Sequence, residues 1–317
     1  MRELEFLKVI QNTLADSSLI GDDCAYLEEF DICVTQDTLV EGVHFLTHTT
    51  TPFKLGQKAV NVNLSDLAAA GARPLYITVS LSLPRASDEN FVQSFYQGVQ
   101  DSCQKYGVKV AGGDLTGADN YFISICAIGK KYNNVKVSRS FAQKGDIILT
   151  TGTHGDSAAG LALLQNGINK PKNLINKHLV PLPAIEQSEY IMQTLKDAGI
   201  EKLAMMDTSD GLQDAIFKLS KASNLEFDIE TIPAGKDLKT TFPKDWKDYA
   251  LWGGEDFELI FTIPPFLYKY FNTPQFIKIG TVSDRPFSNA LEKEFERRYK
   301  KETCLLYTSD AADDLIG

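Results

Sequence analysis

Hydrophobic and polar residues along this chain follow two periods, one typical of helices and one typical of strands. Residues 55–70 place apolar side chains at helical spacing and stop at Gly71, which predicts a helix closed by a glycine. Residues 88–106 follow a capping signal and predict an amphipathic helix that ends at Gly107. Short β-branched runs predict strands at 31–37, 74–84, 108–112 and 121–129.

A second series of elements begins after residues 131–143, a polar segment without a clear period. Because several strands follow one another directly, we expect an α/β protein of the α+β kind rather than a strictly doubly wound sheet. We place two domains at residues 1–137 and 138–303. The second series comprises strands at 144–152 and 203–211, helices at 156–167, 184–198 and from Leu212 onward, and strands in FDIETIP and FELIFTIP.

The final segment, residues 304–317, differs in composition from the rest of the chain. It reads CLLYTSDAADDLIG, lacks basic residues, and follows the strongly basic stretch FERRYKK. We therefore expect this tail to be poorly ordered.

The composition narrows the function classes. The 317 residues include 42 acidic and 32 basic side chains, for a formal net charge of -10. This balance argues against nucleic acid or an anionic membrane as the main partner, whereas metal ions can bridge an acidic site to phosphorylated ligands. No apolar run approaches the roughly 20 residues of a membrane-spanning helix, and the start, MRELEFLKVI, lacks a signal-peptide pattern. Five cysteines without a CxxC pair favour reduced thiols and a cytoplasmic location.

Carboxylates recur in short clusters that we expect at turns, where apolar strands or helices end. Hard divalent cations such as Mg²⁺ take oxygen ligands, usually a few carboxylates with water and substrate phosphates. Glycine beside an Asp lets the chain turn sharply and lets a ligand approach closely. Several such turns could converge on one metal cluster. The clusters are Gly21–Asp23, Thr35–Thr38, Leu64–Asp66, Gly112–Asp114, Asp207–Gly211 and Gly253–Asp256.

Each cluster by itself has a plainer explanation. Asp-Gly pairs are common turn formers, and Ser and Asp often cap helices, so Asp210 fits a helix cap as well as a ligand. Asp66 differs, because it lies within an Ala-rich apolar helix. A carboxylate there either faces solvent or faces the core and needs a partner.

Other phosphate-handling and catalytic motifs are absent from the sequence, which contains no GxxxxGK[ST], GxGxxG, HRD with DFG, or GxSxG. Residues 151–160, TGTHGDSAAG, place glycines before a predicted helix. They either bind a phosphate at the helix N-terminus or form a tight strand-to-helix connection. His44, in EGVHF, is more typical of a packed or surface histidine than of a functional one.

Taken in chain order, these motifs resemble the thiamine-monophosphate kinase family of the aminoimidazole-ribotide synthetase superfamily. The resemblance implies ATP-dependent phosphorylation of thiamine monophosphate to thiamine diphosphate by direct in-line transfer, with several Mg²⁺ ions and a homodimer. It also implies an N-terminal mixed sheet for ATP and Mg²⁺ binding and dimerisation, followed by a C-terminal α/β domain. The matching stretches include IGDDCA, TQDTLVEGVHF, KAVNVNLSDLAAAGARP, AGGDLTG, MDTSDGL and WGGEDFEL, within residues 20–262.

The resemblance also assigns roles to individual residues. It implies catalytic roles for Asp37, Asp210 and Arg139, and thiamine-side contacts for His44 and Glu255. The implied nucleotide contacts are Tyr106, Gly113, Asp114, Arg139 and Ser209. The implied metal ligands are Asp23, Thr35, Gln36, Asp37, Asp66, Asp114, Asp207 and Asp210.

The sequence departs from the family pattern in three places. Gln36 and Leu115 stand where the family usually has Thr, and the tail lacks the family's C-terminal aromatic residue, for which Tyr307 is a weak substitute. Two alternatives therefore stay open. One is another ATP-dependent enzyme of the superfamily, such as aminoimidazole-ribotide synthetase. The other is a non-catalytic protein that binds Mg²⁺ or nucleotide.

Overall fold

A computed structural model describes residues 3–288 together with residues 290, 292, 293 and 295. The tail at 304–317, with Tyr307, lies outside the described residues. The helices are α1 (Glu3–Thr13), α2 (Pro52–Ala69), α3 (Glu89–Tyr106), α4 (Asp156–Gln165), α5 (Lys172–Leu179), α6 (Ile185–Asp197), α7 (Leu212–Ser223), α8 (Lys236–Thr241), α9 (Trp246–Trp252) and α10 (Tyr268–Phe271).

The strands divide between two five-stranded sheets and a two-stranded one. They are β1 (Ala25–Leu27), β2 (Ile32–Val40), β3 (Ala72–Leu83), β4 (Lys109–Gly117), β5 (Phe122–Lys131), β6 (Lys136–Val137), β7 (Ile147–Thr150), β8 (Lys202–Leu203), β9 (Met205–Asp207), β10 (Phe227–Ile229), β11 (Leu259–Ile263) and β12 (Ile277–Val282).

The first sheet has the order β1-β2-β5-β3-β4. All neighbours are antiparallel except β3 and β4, which run parallel because α3 connects them as a crossover helix. Alternate residues of β3, such as Ile77, Val79 and Leu81, are buried beneath the helices. The opposite face, which we call the open face, carries the exposed residues Tyr76 and Phe122.

The two predicted helices of this unit are confirmed, and so are the predicted caps of α3 at Asp88 and Gly107, whereas α2 begins earlier than predicted, after Thr51. The Thr51 side chain accepts a hydrogen bond from the N–H of Lys54 at the start of α2, and Asp88 accepts from that of Phe91 at the start of α3. The two helices pack closely because Gly98 lies against α2. A Cβ at Gly98 would lie 1.8 Å from the Phe53 carbonyl oxygen, so any other residue would force the helices apart.

The second sheet has the order β10-β12-β7-β11-β9 and is antiparallel throughout. Both sheets therefore agree with the predicted α/β fold of mixed type. The short strands β6 and β8 pair in parallel as a separate ribbon.

Helix α2 connects the two halves of the molecule, one built around the first five-stranded sheet and the other around the second. Ala68 and Ala69, at its C-terminal end, pack into the core beside the second sheet. The Ala68 carbonyl accepts a 2.6 Å hydrogen bond from Ser188 on α6, and the Asn61 amide donates to the carbonyl of Pro181. Residues on the buried face of α2 can therefore meet residues from both sheets.

Three of the acidic clusters are not turns, contrary to the sequence prediction. Thr35–Thr38 lies within β2, Gly112–Asp114 lies within β4, and Leu64–Asp66 lies within α2. The prediction was wrong because polar residues inside a strand or helix look like its end when the packing partners are unknown. Within the described part of the chain, no helix combines the length and apolar character needed to cross a membrane.

Candidate active site

Three buried carboxylates from distant parts of the sequence meet where the two halves of the molecule join. Asp23 precedes β1, Asp66 lies near the end of α2, and Asp207 ends β9. One carboxylate oxygen from each lies within 4.8 Å of the others. We call these three residues the acidic cluster. The family resemblance implied all three as metal ligands, and the structure brings them together.

Hydroxyl groups hold the carboxylates of the acidic cluster in place. Thr35 Oγ1 donates to Asp66 Oδ2 at 2.5 Å, and Ser65 Oγ donates to Asp207 Oδ2 at 2.6 Å. The backbone N–H of Ser209 donates to the other Asp207 oxygen at 3.2 Å. These bonds orient the carboxylates but supply no positive charge.

Asp37 lies beside the acidic cluster, on the face of β2 that α2 covers. Its backbone N–H donates to Asn63 Oδ1 of α2 at 2.9 Å. Burial, and then the charges of Asp210 and Asp23, raise the pKa of Asp37 to about 6. The negative charges of Asp210 and Asp23 therefore disfavour ionisation of Asp37.

The electrostatics of the acidic cluster favour a bound cation. Burial, followed by the charges of Asp37 and Asp207, raises the pKa of Asp66 well above its ordinary value. Burial and the charge of Asp23 also raise the pKa of Asp207, to about 7. Neighbouring carboxylates held out of water repel one another unless a cation or a proton neutralises them. The donors are all oxygens, the ligand type that Mg²⁺ prefers, so the residues fit this ion.

Arg139 links the second half of the chain to the loop that carries Asp23. Its Nη2 donates to Asp23 Oδ1 at 2.8 Å, and its Nη1 donates to the Gly21 carbonyl at 3.2 Å. Its backbone N–H donates to Asp22 Oδ1 at 2.8 Å. The Arg139 Nε is buried and has no hydrogen-bond partner among the described residues. The guanidinium therefore has a donor left over at the edge of the acidic cluster.

Asp210 lies at the rim of the site, in the turn between β9 and α7. Its carboxylate is 46% exposed and forms a 2.8 Å ion pair with Lys218 of α7. The cap of α7 is Gly211, without a side-chain hydrogen bond, so Asp210 does not cap this helix as the plainer reading proposed. Ser209 contributes its carbonyl to the N–H of Glu255 at 2.7 Å.

Glu255 belongs to a buried polar group that joins α2 to the second half. Its Oε2 lies 3.1 Å from Lys58 Nζ and 3.3 Å from His178 Nδ1. Lys58 also donates to the carbonyl of His44 at 3.2 Å. Burial alone would raise the pKa of Glu255, but Lys58 and His178 outweigh it and lower the pKa to about 2. His44 and Glu255, both predicted on the thiamine side, are thus connected through Lys58.

The remaining predicted residues of the first sheet lie elsewhere. Thr38, Ser124, Ser80 and Asp114 occupy one register row across β2, β5, β3 and β4. Since Asp37 is one residue from Thr38, it faces the opposite side of the sheet from Asp114. Within the described chain, the structure does not bring Asp114 to the acidic cluster.

Gln36, Gly113 and Tyr106 are also placed outside the acidic cluster. The Gln36 amide donates to Ser124 Oγ at 3.1 Å on the open face. A Cβ at Gly113 would lie 1.9 Å from the Val79 carbonyl oxygen, so pairing of β3 with β4 itself requires this glycine. Tyr106 is the last residue of α3 and packs partly buried against the core of the first unit.

The glycine-rich segment 151–160 is a tight connection, and a carboxylate already occupies the helix end that a phosphate would need. Asp256 Oδ2 accepts from the Gly155 N–H at 2.5 Å, and its Oδ1 accepts from the Ser157 N–H at 2.9 Å. Of the two readings left open from the sequence, the structure supports the packing one.

Sequence reasoning missed several residues that complete the site. Lys58, His178, Ser65 and Lys218 lie in helices, where each fits an ordinary surface or core position until the neighbouring helix or strand is known. The sequence also gave no sign of an aromatic cavity of about 260 Å³ on the side of α7 opposite Lys218. The cavity is lined by Gln213, Ile216, Phe217, Ser220, Phe227, Ile229, Leu251, Trp252, Phe287 and Phe295.

Known proteins resemble this chain both in sequence and in architecture. Residues 21–130 match the family model of the AIR synthase related protein, N-terminal domain. The thiamine-monophosphate kinase of Haemophilus influenzae is 38% identical over 268 residues, which is 80% of this chain and 79% of that protein. The chain belongs to the thiamine-monophosphate kinase family.

Solved structures of the thiamine-monophosphate kinase family have the same fold. The structure of AaThiL complexed with AMPPCP and TMP superposes with a TM-score of 0.81 at 34% identity, covering 90% of this chain and 91% of that one. The thiamine monophosphate kinase from Aquifex aeolicus gives a TM-score of 0.78 at 34% identity, covering 90% and 96%.

Proposed function

We propose that this chain transfers the γ-phosphoryl group of ATP directly and in line to the phosphate of thiamine monophosphate, giving thiamine diphosphate and ADP. The observation that carries the proposal is the convergence of Asp23, Asp66 and Asp207 from both halves of the chain. Family membership supports it, since relatives are named for this activity and AaThiL is complexed with AMPPCP and TMP.

The residues divide the work between charge and position. Both substrates carry phosphate, so bringing them together requires neutralisation of anions more than covalent help from the protein. Several Mg²⁺ ions held by Asp23, Asp37, Asp66, Asp207 and Asp210, with Thr35, would supply that positive charge and align the two phosphates. The acceptor is already an anion, so no strong general base is needed.

Arg139 is the proposed cationic clamp on ATP. A guanidinium matches phosphate geometry, and Arg139 combines an anchored position on Asp23 with an unused Nε donor. Ser209 lies beside Asp207 and Asp210 and is positioned at the same edge. We also propose Tyr106, Gly113 and Asp114 as nucleotide contacts, and Asp114 and Gln36 as metal ligands at a position separate from the acidic cluster.

Glu255 is the proposed contact for the thiamine part of the acceptor. Lys58 and His178 hold its carboxylate ionised beside His44, and the thiazolium ring of thiamine is a cation. A fixed carboxylate near the acidic cluster therefore offers a place for the ring while the phosphate of the same molecule reaches the metals.

We also propose a homodimer, with residues 1–137 as the ATP-binding and dimerisation domain and residues 138–303 as the second domain. The open face supports this, because Tyr76 is 44% and Phe122 is 41% exposed there. A second copy would cover them. Free Cys24, Cys33, Cys103 and Cys126 support the proposed cytoplasmic location.

The proposal is tested by ADP release with rival acceptors. The full chain, with ATP and Mg²⁺, is assayed with thiamine monophosphate, with thiamine, and with formylglycinamidine ribotide. Of the three acceptors, we expect only thiamine monophosphate to cause ADP release. ADP release only with the ribotide would favour the synthetase alternative instead. Mg²⁺-dependent binding of ATP without ADP release would support a non-catalytic protein. A chain truncated after Lys301 tests whether the tail contributes.

A further inference from the structure

Lys218 of α7 pairs with Asp210 at the rim of the site and has no role in the function proposed above. Its Nζ lies 2.8 Å from Asp210 Oδ2 and 2.6 Å from Asp214 Oδ2. Asp214 and Lys218 are four residues apart on α7, so they share one helix face, and Asp210 precedes them in the turn before the helix. One ammonium group thus serves two carboxylates.

The burial of these residues makes the arrangement more than a surface ion pair. The Asp214 side chain is 8% exposed and that of Lys218 is 27% exposed, whereas Asp210 is 46% exposed. Removing a cation from a buried carboxylate is costly. Lys218 is therefore anchored by Asp214 and extends the same charge to Asp210.

Arg139 is a second resident cation at the edge of the acidic cluster, where its Nη2 lies 2.8 Å from Asp23 Oδ1. Arg139 pairs with Asp23 in the same way that Lys218 pairs with Asp210. Arg139 and Lys218 therefore form ion pairs with two carboxylates that are proposed metal ligands.

We propose that Lys218 is a positioning residue that competes with divalent cations for Asp210. A cation bound to the Asp210 carboxylate comes within a few ångströms of the ammonium, and like charges repel at that distance. Binding therefore requires Lys218 to withdraw, which weakens its hold on buried Asp214. The inference rests on the proposed function only in taking Asp210 as a metal ligand.

The test measures binding of Mn²⁺ alone, as a spectroscopic substitute for Mg²⁺, to the full chain without nucleotide. We expect Lys218→Met to bind Mn²⁺ about fivefold to tenfold more tightly than the wild type, because a competing charge is gone. Asp214→Asn should bind about threefold more weakly, because Lys218 then serves Asp210 alone. Lys218→Arg should stay close to the wild type. If Lys218 only stabilised the fold, the two variants would not change Mn²⁺ affinity in opposite directions.

The control is Lys221→Met, on the same helix. Lys221 is 48% exposed and pairs with Glu292 at 2.5 Å, so its loss should leave Mn²⁺ affinity unchanged. Adding Asp210→Asn to Lys218→Met should abolish the gain, because coupled sites are not additive. Thermal melting checks that each variant is folded.

The result that overturns the inference is a folded Lys218→Met variant whose Mn²⁺ affinity equals or falls below that of the wild type. A gain that persists with Asp210→Asn also overturns it. If Lys218→Met does not fold, the Mn²⁺ affinity of Asp214→Asn is the deciding measurement. An affinity equal to or higher than that of the wild type would then overturn the inference. Since none of these readouts uses thiamine monophosphate or turnover, failure of the proposed kinase activity is detected separately.

Discussion

Ser65 on α2 donates a 2.6 Å hydrogen bond to the carboxylate of Asp207 at the end of β9. This bond joins the helix of the first unit to a strand of the second at the acidic cluster. Both residues are fully buried, so the geometry of the cluster depends on the packing between the two halves.

Replacing Ser65 with Ala should weaken metal binding as well as the fold. The free energy of unfolding should fall by about 1–2 kcal/mol, because a buried carboxylate loses a donor. Mn²⁺ affinity should fall severalfold, since Asp207 is no longer oriented. Ser188→Ala is the matched control. It removes a buried 2.6 Å bond to the same helix and should cost similar stability without changing Mn²⁺ affinity. Equal affinities in both variants would contradict the role of Ser65.

Replacing Asp37 with Asn should strongly reduce turnover while it stabilises the metal-free protein. Burial and neighbouring carboxylates disfavour the charged form of Asp37, so a neutral side chain relieves repulsion by about 1 kcal/mol. Turnover should fall at least about a hundredfold, because charge stabilisation of the transferring phosphate is lost. Asp146→Asn, whose carboxylate accepts from Gln143 and Thr262, should instead lose stability and keep turnover. Wild-type activity in Asp37→Asn would refute the assignment.

Mg²⁺ should stabilise the protein more at pH 8 than at pH 5.5. The pKa values of Asp37 and Asp207 are raised to about 6 and about 7, above the ordinary value, so the metal-free folded state binds more protons than the unfolded state between about pH 4 and pH 7. Their contribution to stability therefore falls as pH rises through this range, and a divalent cation restores it. Melting temperatures with and without Mg²⁺ at both pH values measure the difference. A larger shift at pH 5.5 would contradict this account.

Glu255→Gln should affect both stability and acceptor binding. The ion pair with Lys58 lowers the pKa of Glu255 to about 2. Because the folded pKa lies below the unfolded one, the stabilising contribution is present above about pH 4.5 and is lost toward pH 2. Unfolding at pH 7 should become easier by about 3 kcal/mol, and the difference from the wild type should shrink below pH 4.5.

The matched control for Glu255→Gln is Glu258→Gln. Glu258 forms a comparable buried pair with Lys177 at 2.5 Å. Both variants should be destabilised, but only Glu255→Gln should raise KM for thiamine monophosphate, with KM for ATP unchanged. An equal rise of KM in both would show that Glu255 acts only through the fold.

The sequence predicted most of the elements, because helix periodicity, β-branched runs and glycine caps are local signals. The family resemblance, carried by short motifs, implied the three members of the acidic cluster. Asp66 was recognisable from the sequence, because a carboxylate on the apolar face of a helix requires a partner. The relation between Asp37 and Asp114 was not predictable. It depends on the strand order β2-β5-β3-β4, which puts the two side chains on opposite faces, and strand order is a long-range property.

The polar partners in helices were hidden for the same reason. The spacing of Asp214 and Lys218 predicts an ordinary surface pair, and only the fold shows that Asp210 lies next to it. Likewise, Lys58 and Glu255 are 197 residues apart in the chain. Their pairing depends on how α2 packs against the second half.

The proposed kinase activity is tested by chromatographic analysis of the products formed from thiamine monophosphate, ATP and Mg²⁺. We expect the wild-type chain to form thiamine diphosphate and ADP in equal amounts, and folded Asp210→Ala to form neither. Absence of thiamine diphosphate with the folded wild type, or its undiminished formation by Asp210→Ala, would refute the proposed function.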